Sequence, residues 1–132
     1  MSAKRTAVLG LLVGGLVLTG MTGEAAAARK QVSSTAAIGA LSADGVAGRV
    51  STAQAACRAK RSVSVYMVNT SNPPSAVPFG TAITSGDGRW SIQQWAYPGE
   101  YYAVVADRKT RRFACRGATS DSQVWWTSGA AQ

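Results

Sequence analysis

The chain contains no histidine, and its 132 residues carry only two cysteines, Cys57 and Cys115, and six carboxylates. Without histidine there is no Ser-His-Asp or Cys-His arrangement to activate a nucleophile, and a metal site would have to be assembled from scattered carboxylates and carbonyls. No long apolar run is present either. The longest, Ala7 to Met21, has 15 residues including four glycines, short of the roughly 20 that cross a bilayer. No helix of ordinary length fits the pattern, and no repeat on the order of 20 to 50 residues is visible.

What is there begins with a tripartite start. Met1 to Arg5 is basic, Ala7 to Met21 is apolar and Ala25 to Ala28 is a run of small residues, the plan of a secretory signal peptide over residues 1–28. Removal after Ala28 would leave 104 residues with 12 cations against five carboxylates (Asp44, Asp87, Glu100, Asp107 and Asp121), a net charge of +7. That length suits one domain. In an oxidising exterior an even pair of cysteines predicts a single Cys57–Cys115 disulfide with no thiol left over.

Residues 29–44 are rich in Ser, Ala and Thr, with only Val32, Ile38 and Leu41 as large apolar residues, and read as a flexible lead-in. From Gly45 short β-branched and aromatic runs alternate with Gly, Pro, Asn, Asp and Ser. They predict seven strands: Val46 to Ser51, Ser62 to Asn69, Thr81 to Ser85, Arg89 to Trp95, Glu100 to Asp107, Arg111 to Arg116 and Ser122 to Thr127. Alternation puts Val63, Val65 and Met67 on one inward face. Asp87-Gly88 predicts a tight hairpin turn, with Trp90 and Ile92 on one side and Ile83 across from them. Asn72-Pro73-Pro74 cannot continue a ladder, so Thr70 to Pro78 reads as a loop. The expected fold is all-β, a single antiparallel Greek-key β-sandwich of about seven strands over residues 45–127, with one disulfide and a tail over 128–132.

Four segments together carry a family resemblance: Gly48-Arg49-Val50, Val63-Ser64-Val65-Tyr66, Thr84-Ser85-Gly86-Asp87-Gly88-Arg89-Trp90-Ser91-Ile92 and Pro98-Gly99-Glu100-Tyr101-Tyr102-Ala103-Val104-Val105. In this order they resemble the carboxypeptidase regulatory-like, or transthyretin-like, β-sandwich. The placing of Cys57 before the Val-x-Val strand and Cys115 after the Gly-x-Tyr-Tyr strand is also similar to small secreted single-domain proteins of actinobacteria. The resemblance spans roughly Gly45 to Trp126. It implies a seven-stranded Greek-key sandwich used as a non-catalytic module, with no catalytic residue to carry over. The Ala-rich loop before Cys57 and the basic run Arg108 to Arg112 depart from it.

Enzyme readings find little material. Asp87 with Glu100 or Asp107 could form a carboxylate pair, but Asp87 is accounted for by its turn, and Glu100 and Asp107 bracket one strand. Lys60 with Ser62 or Ser64 lacks any sign of an oxyanion hole. Ser85-Gly86-Asp87-Gly88 has half the look of a calcium loop without its alternating acids or distal Glu. No catalytic residue, metal or cofactor is expected.

Positive charge is the strongest remaining signal. Arg58, Lys60 and Arg61 follow the first cysteine, and Arg108, Lys109, Arg111, Arg112 and Arg116 surround the second. A disulfide would merge the two stretches into one surface region, since bridged residues have Cα atoms within about 7 Å. Two readings stand side by side. In one, an exported chain merely keeps its charge away from zero, and Arg108 to Arg112 is a solvated loop. In the other, the cluster attracts an anionic partner: a cell-wall polymer, an acidic glycan, an anionic membrane surface or released nucleic acid. Sequence-specific nucleic-acid reading has no recognition helix or zinc-finger spacing behind it. A competing surface comes from aromatics. Trp90, Tyr101 and Phe113 suit a core, whereas Trp95, Tyr97, Tyr102, Trp125 and Trp126 cannot all point inward, because strand neighbours face opposite sides. Exposed ones could stack on sugars or meet an extracellular protein as an inhibitor or effector would. The expected role is a secreted, non-catalytic binding module, with a purely structural exported protein as a further alternative.

Overall fold

A computed structural model describes residues 28–126, and within them the chain is nearly all β. The expected signal peptide, apart from Ala28, and the tail over 128–132 lie outside the described residues. The eleven strands are β1 (Lys30–Val32), β2 (Ser34–Ser42), β3 (Gly45–Thr52), β4 (Ser62–Asn69), β5 (Ser75–Ile83), β6 (Arg89–Ile92), β7 (Gly99–Val105), β8 (Arg108–Lys109), β9 (Phe113–Cys115), β10 (Ala118–Thr119) and β11 (Gln123–Trp125). A single 3-10 turn, Ala55–Cys57, is the one helical element among the described residues. No described helix is long and apolar enough to cross a membrane.

Two sheets build the main core. One runs β10-β7-β4-β5, with β11 also on β7, and the other runs β2-β3-β6. Their inner faces meet in one cluster: Ile38, Val46, Val50, Trp90 and Ile92 from the smaller sheet, against Val63, Val65, Tyr101, Ala103 and Val105 from the larger. Val63 and Val65 are fully buried as alternation predicts, each contributing about 1.5–3 kcal/mol through its removal from water. A third sheet, β1-β9-β8, covers a small separate cluster of Val32, Cys57, Cys115 and Phe113. The Cys57–Cys115 disulfide is formed, with Cα atoms 5.5 Å apart.

Several expectations are corrected. There are eleven strands among the described residues instead of seven, and one pair, β1 with β9, is parallel. Residues 29–44 are no lead-in: β2 pairs along β3 from Ser34↔Thr52 to Ser42↔Gly45 and buries Ile38, and β1 buries Val32. Small side chains conceal this, because Ala, Gly and Ser at the outward positions leave only sparse apolar marks. Strand β5 begins at Ser75, inside the expected loop. Pro78 is accommodated because β5 is an edge strand and Pro78 sits beside a register shift opposite Tyr66. Ile83 points outward and is 64% exposed, since Val63 faces in with its partner Ala82, and Ile83 pairs with the outward Ser62. The Ser85–Gly88 turn is no hairpin within one sheet. It carries the chain from β5 in one sheet to β6 in the other. Gly88 takes a φ of 87°, and a Cβ there would collide with the Val50 carbonyl.

Strand direction divides the molecule into two ends. β2, β4 and β6 run away from the disulfide, and β3, β5 and β7 run back toward it. The segments 29–32, 52–61, 84–88 and 106–117 therefore gather at the disulfide end. The turn at 43–44, the loops 70–74 and 93–98 and residues 124–126 gather at the other.

Candidate functional site

At the disulfide end the third sheet assembles the basic surface. Lys30 lies opposite Phe113 in the parallel β1–β9 pairing, and Arg108 and Lys109 lie opposite Cys115 and Ala114 in the β8–β9 pairing. Backbone bonds from Lys30 to the Arg112 carbonyl (3.0 Å) and from Arg116 to the Val32 carbonyl (2.8 Å) close the arrangement. Side chains are held by main-chain oxygens and an amide instead of acids. Arg29 Nε donates to the Thr110 carbonyl at 2.8 Å, Arg108 to Ala56 at 3.2 Å and Arg58 Nε to Thr52 at 3.3 Å, while Arg116 donates to Gln31 Oε1 at 3.1 Å. Lys60, Lys109, Arg111, Arg112 and Arg116 are exposed, and Arg58 and Arg108 are half-buried.

Arg29 and Lys30, which read as part of a flexible segment, thus join the cluster and are both exposed. Only the parallel pairing of β1 with β9 reveals this, and no local pattern signals it. The nine cations Arg29, Lys30, Arg58, Lys60, Arg108, Lys109, Arg111, Arg112 and Arg116 have no carboxylate in ion-pair range among the described residues. Asp107, one of the two carboxylates in the segments of this end, accepts the Gly117 amide. The ion pair found among the described residues is Arg89–Asp87, 3.2 Å, on the exposed turn. There the Ser85 hydroxyl, above all, and the Arg89 amide and charge hold the Asp87 carboxyl below its ordinary value. That turn leaves Asp87 at the disulfide end, whereas Glu100 opens β7 at the other.

Arg61 is the correction within the cluster. It is fully buried, not part of the basic surface. Its guanidinium donates to Ser34 Oγ (3.0 Å), the Cys57 carbonyl (2.7 Å), the Ala106 carbonyl (3.0 Å) and the Arg116 carbonyl (2.9 Å). Desolvation, with the Arg108 charge second and Asp107 opposing, pulls its pKa below the ordinary arginine value. One side chain therefore ties β2, the cysteine turn and the ends of β7 and β9 together. The signal was present in the sequence: continuing the alternation of Val65 and Val63 back by two places residue 61 on the inward face.

The opposite end carries aromatic residues. Trp95, Tyr97 and Trp126 are 61%, 65% and 56% exposed. Tyr102 and Trp125, expected among the exposed candidates, are half-buried: Tyr102 stacks on Tyr66 with ring centroids 5.5 Å apart, and Trp125 packs on the core. Trp90 and Tyr101 are core residues, and Phe113 covers the disulfide. None of the 12 cations of the described residues lies in the segments that form this end, which holds the carboxylates Asp44 and Glu100.

No known protein family, curated protein or solved structure matches the chain.

Proposed function

We propose that this protein is an exported, non-catalytic binding module that attaches through its disulfide end to an anionic polymer at or outside the cell envelope. The observation that carries the reading is the convergence of nine cations on one end with no carboxylate in ion-pair range among the described residues. Cations held by neutral carbonyls keep their charge available, and a polymer that meets several at once releases its own counterions. Export is supported by the tripartite start of the sequence and by the disulfide, which suits an oxidising compartment. The all-β sandwich is the architecture that a carboxypeptidase regulatory-like, or transthyretin-like, module would have, and non-catalytic use follows from that resemblance and from the lack of histidine.

Binding to polyphosphate, with neutral dextran as control, tests the reading. Affinity is expected to fall at least about tenfold between about 50 and 200 mM salt. Arg111→Ser with Arg112→Ser should weaken binding more than Arg49→Ser with Arg89→Ser, which removes equal charge outside the cluster. Equal losses would mean that net charge alone acts and that the cluster is no site.

A further inference from the structure

The aromatic end holds a second surface whose chemistry is opposite to the first. A shallow, open cleft of about 440 Å³ lies between the β2–β3 turn and the loop after β6, lined by Ala43, Asp44, Gln93, Gln94 and Trp95. An open groove of this kind suits an extended chain that lies along the surface better than an enclosed small ligand. Trp95 is exposed as its wall, and Tyr97 stands beside it with ring centroids 6.1 Å apart and planes at 84°. We propose that this cleft binds the rings of a neutral polysaccharide.

The rings are held in place by the fold. Ala96, between them, is fully buried, and its amide donates to the Ala43 carbonyl at 3.1 Å. Gln94 Nε2 donates to the Phe79 carbonyl at 2.6 Å, and Tyr101 Oη donates to the Tyr97 carbonyl at 2.7 Å. Three successive anchors at 94, 96 and 97 thus pin the loop to three different parts of the molecule. Ala96 is turned in, and its neighbours Trp95 and Tyr97 are both turned out. The aromatic pair is therefore presented on a fixed support, so little conformational freedom is lost when a ligand arrives.

The class of ligand follows from what surrounds the indole. An exposed indole face receives the C–H face of a sugar ring, an apolar body with polar edges. The Asp44 carboxylate offers acceptors and the Gln93 amide both a donor and an acceptor, the complement that ring hydroxyls require. Both residues are exposed. Charge then selects among sugars. With Asp44 and Glu100 at this end and no cation in its segments among the described residues, a sulfated, phosphorylated or uronic polymer is repelled and a neutral one is not. The proposal is independent of the polyanion reading, because it uses different residues and a salt-insensitive contact.

The test is titration of the purified, disulfide-bonded protein with cellohexaose, chitohexaose, xylohexaose and maltohexaose, read by tryptophan fluorescence and calorimetry. At least one should bind with a dissociation constant on the order of 0.1 to 1 mM. Trp95→Ala should weaken that binding at least about tenfold, Asp44→Asn about threefold, and Trp95→Phe less than Trp95→Ala. Trp126→Ala and the Arg111→Ser, Arg112→Ser pair should leave it unchanged, as should raising salt from about 50 to 500 mM. Trp95 is exposed, so its variants should keep the wild-type melting curve, which verifies the fold. The proposal is overturned if none of the four saccharides binds at about 10 mM, if Trp95→Ala binds as well as wild type, or if salt abolishes binding. Capture of a protein partner through Trp95 with no saccharide bound would likewise overturn it and assign the pair to a protein interface.

Discussion

The two ends of this sandwich share strands β2 to β7, with the third sheet added at one of them, yet they differ in almost every property that a surface can have. The disulfide end is cationic, cross-linked and held by a buried arginine; the aromatic end has no cation in its segments among the described residues, no covalent link, and exposed rings on a pinned loop. A net charge of +8 therefore describes neither surface. Strand direction does the sorting: because each antiparallel strand returns the chain, segments far apart in sequence alternate between ends, and the cation-bearing ones fall on one side. The disulfide end thus holds the cross-link, the buried guanidinium and most of the cations, while the aromatic end holds the exposed rings.

Cutting the bridge should have the largest effect. Closing a loop with a sequence separation of 58 should contribute about 4 kcal/mol in chain entropy. Replacing Cys57 and Cys115 by Ser should lower unfolding free energy in urea by about that amount, and a loss near zero would show that the end does not depend on its cross-link. Next is Arg61. Arg61→Met removes four hydrogen bonds and leaves buried carbonyls without a donor, an expected loss of about 3 kcal/mol by the same measurement. Trp95→Ala, at the other end, should stay within about 0.5 kcal/mol. A destabilisation by Trp95→Ala as large as that by Arg61→Met would erase the distinction between the ends.

Alkali provides a third probe. Burial raises the Tyr101 phenol above its ordinary value near 10, the hydrogen bond to the Tyr97 carbonyl included in the balance. The folded chain then keeps a proton that the unfolded chain has lost, so stability is fully present below pH 10 and falls as pH rises beyond it. Tyr101→Phe should flatten that decline while costing about 1 kcal/mol at neutral pH for the lost bond; an unchanged alkaline decline would place its cause elsewhere. A small gain is expected at Lys60, a non-glycine residue at φ 59°. Lys60→Gly should raise thermal stability by about 0.5–1 kcal/mol through relief of the left-handed backbone, while removing one charge from the basic surface. A fall in melting temperature would mean that the lysine side chain supports the end by contacts beyond its charge.

Legibility varied with how strongly the side chains mark the period of two. Ser62–Asn69 emerged with its bounds intact, because Val63 and Val65 alternate with polar residues and nothing interrupts them. Strand β2 was invisible for the converse reason: Ala, Gly and Ser mark neither face, and its pairing depends on β3. The two-residue strands β8 and β10 have too few residues to show any period. At the aromatic end, the sequence marks Trp95 and Tyr97 as candidates for exposure, but nothing in a linear pattern joins Asp44 and Gln93 to them. At Arg61 charge points to the surface and strand alternation points inward, and burial follows the alternation.

Composition and local pattern alone determined that the chain is all-β, that its two cysteines pair, and that charge is in large excess of one sign, since these depend on residue type and on neighbours within a few positions. The folded chain alone settles which cations share a surface, that residue 61 faces inward to four acceptors, that residues 29–42 belong to the fold, and that Asp44 and Trp95 line one cleft. These depend on contacts between different strands and turns, many of them separated by tens of residues, fixed by strand register and by which end a reversal lands on. Neither is written in any local stretch of sequence, because both follow from the balance of buried surface and hydrogen bonds over the whole sandwich.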